Sequence, residues 1–255
     1  MLQGGRTLSL DHLVWLLVAT AVLVQICYPL TPAPLQTAVT VLSVVVFAAA
    51  STADAARVHG LRGAAVLLVV AGGGGLVAET VGLGTGFPFG SYAYTDTLGP
   101  TVLGVPLIVP LAWTMMAWPA LVVGRTLARS GWVVIAVGAL ALASWDVFLD
   151  PQMVDAGHWR WLHPGPALPL VPGIPLTNYV GWLAVAVLVV AALHTLLGAP
   201  RPRTSKPAAA LYLWVYASSV LAHLVFFGLP GSALMGGLIM GSVALPFAHS
   251  LARHR

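Results

Sequence analysis

Eight apolar stretches, each close to the roughly 20 residues a helix needs to cross a bilayer, follow one another along the chain. They lie at roughly 13–30, 35–54, 61–82, 105–123, 131–149, 176–197, 208–228 and 231–250. Little sequence remains outside them to build a soluble domain. Their ends carry residues that stop helices: Pro29, Pro32 and Pro34, then Gly60, Pro106, Gly131, Pro175, Pro200 and Pro202, and finally Pro230-Gly231. One uninterrupted helix across the last two stretches would be far longer than a bilayer and would carry Pro-Gly in its middle, so a hairpin turning at Leu229-Pro230-Gly231 is expected. Composition agrees: 11 basic and 7 acidic residues in 255, 59% hydrophobic residues and a mean hydropathy of +0.93 leave too few charges to cover a soluble globule. The expected fold class is all-α, a polytopic membrane bundle of about eight transmembrane helices forming a single domain over residues 1–255. Soluble enzyme folds are excluded, and a lone Cys27 excludes an internal disulfide framework.

Eight spans put both termini and every second loop on one side of the membrane. Arg6, Arg57, Arg62, Arg125, Arg129, Arg201, Arg203, Lys206, Arg253 and Arg255 fall on that side, and Arg160 alone falls on the other. Basic residues mark the cytoplasmic side, so the expected location is the inner or plasma membrane with both termini in the cytoplasm. Reporter fusions check this: Arg203 should report a cytoplasmic position and Asp96 an extracytoplasmic one, and a reversal at either would overturn the count. The basic pI of about 9.6 is thereby explained as topology. Charges scattered over short loops make no continuous nucleic-acid-binding face. The first apolar run follows Arg6 without a small-x-small cleavage site and reads as an uncleaved span.

Of the seven carboxylates, Asp11 and Asp54 stand at cytoplasmic helix ends, where solvation is expected. The other five, Glu79, Asp96, Asp146, Asp150 and Asp155, gather at the opposite side. An ionisable residue inside a span costs roughly 2.5–3.5 kcal/mol on translocon scales and is a functional candidate for that reason. Glu79, behind Leu76, Val77 and Ala78, sits about one turn below the interface. Asp146 and Asp150, four apart, stack on one helix face. In intramembrane prenyltransferases such a pair works with a second acidic motif to hold the magnesium of a diphosphate. No second D-x-x-x-D or N-D-x-x-D occurs here, so diphosphate chemistry at Asp146 and Asp150 stands second.

The two long outer loops are rich in aromatics. Phe87, Phe89, Tyr92, Tyr94, Trp145, Trp159, Trp161, Tyr179 and Trp182 all fall at the acidic side. Single aromatics there would be an interfacial anchoring belt; their clustering suits a lidded apolar pocket. Loops 83–104 and 150–176 are accordingly expected to fold over the outer ends of spans three and five and to touch. Gly72–Gly75 in span three suits close helix packing or a flat ligand. His158, His163 and His223 lack metal-ligand spacing, and no G-x-S-x-G, P-loop or dinucleotide fingerprint is present. No metal and no cofactor are expected.

Glu79 is followed by Gly86-Phe87-Pro88-Phe89-Gly90-Ser91-Tyr92-Ala93-Tyr94-Thr95 and by Gly104-Val105-Pro106-Leu107-Ile108-Val109-Pro110-Leu111-Ala112-Trp113. Further on stand Asp146-Val147-Phe148-Leu149-Asp150-Pro151, Trp159-Arg160-Trp161, and Gly173-Ile174-Pro175-Leu176-Thr177-Asn178-Tyr179-Val180-Gly181-Trp182. Over about residues 75–185 this pattern resembles the membrane carotenoid biosynthesis protein family that includes the CruF-type carotenoid 1',2'-hydratases; the flanking spans agree in hydropathy. The resemblance implies addition of water to the terminal double bond of an acyclic, lycopene-like carotenoid, giving a tertiary alcohol. Carotenoid, water and membrane lipid would be its partners, with room for other enzymes of the same pathway.

The residues suit that reaction. Protonating a trisubstituted alkene makes a tertiary cation, so the site needs a carboxylic acid in an apolar setting and aromatic faces beside the cation. Glu79, the most embedded carboxyl, is the leading proton donor because desolvation favours its neutral form. Asp146 or Asp150 would act as base or orient water, and Asn178 would hold that water or cap its helix. Phe87, Phe89, Tyr92, Tyr94, Asp96, Trp113, Trp145, Trp159, Trp161, Asn178 and Trp182 are the expected substrate-binding set. The competing class is a non-catalytic carotenoid or lipid carrier using the same pocket.

Overall fold

The computed structural model describes residues 9–198 and 204–253. Arg6, Arg201, Arg203 and Arg255, and with them Pro200 and Pro202, lie outside the described residues. The helices are α1 (Leu10–Cys27), α2 (Ala33–Leu67), α3 (Gly74–Thr85), α4 (Ile108–Leu127), α5 (Gly131–Ala143), α6 (Asp146–Asp155), α7 (Leu176–Leu197), α8 (Lys206–Val225) and α9 (Pro230–Arg253). Six short strands lie between them: β1 (Tyr92–Tyr94), β2 (Thr101–Val102), β3 (Val105–Pro106), β4 (Trp159–Trp161), β5 (Ala167–Leu168) and β6 (Val171–Pro175).

Among the described residues, 7 helical segments are long and apolar enough to cross a membrane, and one of them, Ala33–Thr85, is 53 residues long. At about 1.5 Å per residue that segment would be more than twice a bilayer's thickness if straight. It turns at Gly60, whose φ of 68° and ψ of −170° lie outside the helical region. A positive φ of this kind is open to glycine at little cost. The chain then runs back on itself, so that Thr40 and Val44 of α2 line the same cavity as Glu79 of α3. This is the boundary between the second and third apolar stretches, and it brings the passes to eight. The hairpin at Leu229-Pro230-Gly231 is also present, with α8 ending at Val225 and α9 starting at Pro230.

Two features of the spans differ from the sequence reading. Between α2 and α3 the helix widens into a π-helical segment, Leu68–Gly73. A side chain at Gly75 would meet the Trp113 ring and one at Gly72 the Thr114 hydroxyl, so the glycine tract serves close packing of α3 on α4. The fifth stretch is broken at Ser144-Trp145 into α5 and α6. There the Tyr212 and Ser144 hydroxyls both donate to the Ala141 carbonyl, each at 3.3 Å, and Phe148 N bonds Trp145 O in a tighter i→i+3 turn. That break restarts the helix at Asp146.

Asp54 is fully buried, against the expectation of a solvated helix end. Its Oδ1 accepts from Arg57 Nε at 2.9 Å and pairs with Arg57 Nη2 at 2.7 Å. Its Oδ2 accepts from Ser205 Oγ at 2.6 Å and from Trp118 Nε1 at 2.8 Å. The carboxylate thus ties α2, α4 and the start of α8 together, and hydrophobicity alone gave no sign of it because each partner comes from a different span. Asp54→Ala would leave the buried Trp118 N–H without its acceptor and the partly exposed Arg57 with only Asp11, at 3.6 Å, as a counter-charge, which costs about 1–3 kcal/mol. A matching loss of thermal stability in detergent is expected; an unchanged melting temperature would mean that the network contributes nothing.

Candidate functional site

Gly86 ends α3 in the left-handed conformation, φ 75°, and sends the chain back across the bundle end. Phe89 then wedges between α3 and α7, where Gly82 and Gly181 have no room for a side chain because its ring is there. This anchors the next residues, β1, over the bundle. β1 pairs antiparallel with β4 in the register Tyr92↔Trp161, Ala93↔Arg160, Tyr94↔Trp159. Period-2 alternation puts the four aromatics on one face of this ribbon and Arg160 on the other. Tyr92 and Trp161 have ring centroids 5.2 Å apart, and Tyr94 and Trp159 5.7 Å. The two outer loops therefore do meet, as a lid.

Under the lid lies an apolar cavity. Among its lining residues are Glu79, Phe89, Tyr92, Tyr94, Trp113, Trp145, Asp150, Trp159, Trp161, Asn178 and Trp182. Most of the predicted site thus comes together in one place. Phe87 is 74% exposed and Asp96 is also exposed; both stand outside this cavity, because Gly86 turns Phe87 outward and Asp96 starts a short 3-10 turn on the outer side of the lid. Asp155 is exposed at the end of α6. The sequence reading missed Thr40, Val44, Leu98, Ile108, Val109, Ala112, Leu149 and Met153 in the same wall. As ordinary apolar or hydroxyl residues of spans and lid they carry no signal of their own.

Two acidic stations face this space. At the first, Glu79 Oε2 accepts from Tyr92 Oη at 2.6 Å and from Tyr94 Oη at 2.8 Å, while Oε1 lies 3.3 Å from Trp113 Nε1. At the second, on α6 and α7, Asn178 Nδ2 donates to Asp146 Oδ2 at 2.6 Å and to Asp150 Oδ2. Asp150 Oδ1 also accepts from Trp159 Nε1 at 2.8 Å, so the lid reads the position of this carboxyl directly. Asp146 is fully buried behind Asp150, and its Oδ1 has no partner among the described residues. Between the stations the indoles of Trp113 and Trp182 stack at 4.1 Å and 11°, with Trp145 edge-on to Trp182 at 6.3 Å. Burial pushes the Tyr92 and Tyr94 phenols well above their ordinary pKa, so both remain donors. Among the described residues no Lys or Arg lines the cavity, and no group of three or more His, Cys, Asp or Glu is suited to a metal.

The lid has its own latch. Thr95 N donates to the His158 carbonyl at 2.9 Å, and His158 Nδ1 lies 2.8 Å from Thr97 Oγ1. Burial lowers the His158 pKa below the usual 6.5. An open lid would therefore bind a proton at a pH where the closed lid does not, so closure is fully favoured above about 6.5 and weakens as pH falls toward the lowered value. Limited proteolysis between residues 92 and 162 should accelerate at pH 5 relative to pH 7.5, and His158→Gln should remove the difference. An unaltered pH dependence in His158→Gln would assign the effect elsewhere.

Fold and site together define a polytopic helical membrane protein with an apolar, carboxylate-bearing cavity closed by an aromatic lid. The chain belongs to the family described as carotenoid biosynthesis protein, which it matches over residues 35–252, well beyond the motif-bearing stretch 75–185. It is 33% identical over 120 residues to a bisanhydrobacterioruberin hydratase of Haloarcula japonica, a stretch covering 44% of this chain and 39% of that relative. No solved structure matches it.

Proposed function

We propose that this protein is a carotenoid hydratase that adds water, without a cofactor, to the terminal carbon–carbon double bond of an acyclic carotenoid end group. The observation that carries this reading is the placement of Glu79 and Asp150 in one apolar cavity beside the Trp113–Trp182 stack. The family match and the hydratase name of the Haloarcula relative support the substrate class. Glu79 Oε2 is occupied by two phenol donors and Oε1 has one long indole contact, which leaves Oε1 as the oxygen to carry a proton. It passes that proton to the less substituted alkene carbon, and the tertiary cation forms beside the indole faces, which stabilise it. Water attacks the cation as Asp150 takes its proton. Asp150 suits the acceptor role because it lines the same cavity and each of its oxygens, while accepting one N–H bond, keeps a lone pair that can take a proton. Asn178 ties Asp146 to Asp150 and positions the pair. The proton gained by Asp150 must return to Glu79 before the next turnover, so no net charge accumulates. The wider role expected for Asp146 becomes one of support, since it lies behind Asp150.

The diphosphate alternative has little to hold its substrate: Asn178 already occupies one oxygen of each aspartate, and no basic side chain lines the cavity to balance phosphate charge. The carrier alternative uses the same cavity without chemistry. Co-expression with a lycopene-producing pathway separates it from a hydratase, because hydration adds the mass of one water for each end converted and a carrier adds nothing. Cytoplasmic termini in a cell membrane, with the lid facing outward, complete the reading.

A further inference from the structure

A second cavity lies against the first. The two share Thr40 and Val44 of α2 and, four residues apart along one stripe, Trp145, Leu149 and Met153 at α6. The second cavity adds polar side chains to its wall, Gln25, Ser43, Gln152, Ser218, Ser219 and His223. Ser43, Gln152 and Ser219 make no side-chain hydrogen bond among the described residues, although all three are at least half-buried. His223 is buried, with Nδ1 on Ser232 Oγ and Nε2 without a partner. Polar groups removed from bulk water hold partners of some kind, and in a roomy polar cavity those partners are water molecules. The reaction cavity is more apolar, with four polar side chains, Thr40, Glu79, Asp150 and Asn178, and two tyrosine hydroxyls against a wall of aromatic and aliphatic ones below a closed lid.

We infer that the second cavity is a water chamber that supplies the nucleophile to the carboxylate cavity through the seam between α2 and α6. The inference rests on the hydratase reading. Thr40 is the polar member of the shared wall, and its hydroxyl donates to the Gln36 carbonyl at 3.0 Å, which leaves its oxygen free to accept a hydrogen bond from a passing water. Tyr28 and Phe227, edge to face at 5.7 Å, form the end of the chamber nearest the lid side of the bundle. Water thus reaches Asp150 without the lid opening, while the polyene enters the first cavity and keeps its cation away from bulk solvent.

Radiolytic hydroxyl labelling tests the chamber, because side chains beside bound water are labelled even when buried. In purified protein without carotenoid, Phe148 and Met115, which line the chamber alone, should label roughly tenfold above Phe47 and Met240, which are similarly buried but line neither cavity. A Ser218→Leu, Ser219→Leu double variant should bring them down to that background. Turnover should fall roughly tenfold in that variant and roughly fivefold in Thr40→Val, the loss of about one hydrogen bond to water, with polyene absorption on the protein unchanged. Background labelling in the parent protein would show the chamber to be dry and overturn the inference whatever the activity. Full turnover in the double variant with labelling lost would overturn its supply role. A parent protein with a labelled chamber that adds no water to carotenoid would overturn the hydratase reading, and the supply role with it.

Discussion

Glu79→Gln is expected to lower carotenoid hydration by about 10²- to 10⁴-fold, the range associated with losing a positioned general acid. Glutamine has the shape of the protonated carboxyl and can still accept from the Tyr92 and Tyr94 hydroxyls through its amide oxygen. Its amide nitrogen would then stand where Oε1 faces the Trp113 N–H, a donor against a donor at a contact that is already long. The fold cost is small and the transferable proton is gone. The measurement is the fraction of hydrated product in cells making the acyclic carotenoid, normalised to protein recovered from the membrane. Parental turnover in Glu79→Gln, together with an inactive Asp150→Asn, would move the donor to α6.

Much of this architecture was legible because a bilayer restricts a chain so severely. Apolar length with proline and glycine punctuation was enough to place eight passes, and α7 runs over Leu176–Leu197, the sixth stretch as read. The lid was legible through composition, since aromatics concentrated in two loops have to bury their faces somewhere. What could not be read was anything that depends on which spans are neighbours. Asp54 looked like a solvated helix end until Ser205 and Trp118 arrived from distant parts of the chain. Thr40 is one of many hydroxyls in the spans, and only the fold-back at Gly60 sets it near Glu79. Phe87 and Asp96 failed to join the cavity for local reasons: Gly86 in the left-handed region turns Phe87 outward, and Asp96 starts a short 3-10 turn after β1. At the break before Asp146 the Ala141 carbonyl accepts from the Ser144 hydroxyl of its own stretch and from Tyr212 of another, and the second is a contact between spans that the helical periodicity of either one does not contain.

Asp150→Asn distinguishes the two acidic stations. Asparagine keeps one oxygen for a hydrogen bond but cannot take the proton released when water adds, so hydration should fall by about 10²- to 10⁴-fold. Its amide nitrogen must also face either Trp159 N–H or the Asn178 amide, both donors, which loosens the lid contact as well. The earlier half of the reaction remains available. With exchangeable protons replaced by deuterium, Glu79 can still deliver a deuteron to the alkene carbon, and the cation, uncaptured, returns a proton from that same carbon to the Glu79 carboxylate. The recovered carotenoid should then carry deuterium at its terminal alkene without having gained water. Glu79→Gln should show neither label nor hydration, because no cation forms. The same experiment separates catalysis from carriage: a carrier exchanges nothing in any variant. Deuterium appearing in the Glu79→Gln alkene, and absent from that of Asp150→Asn, would reverse the acid and base assignments while leaving the cavity and its reaction in place.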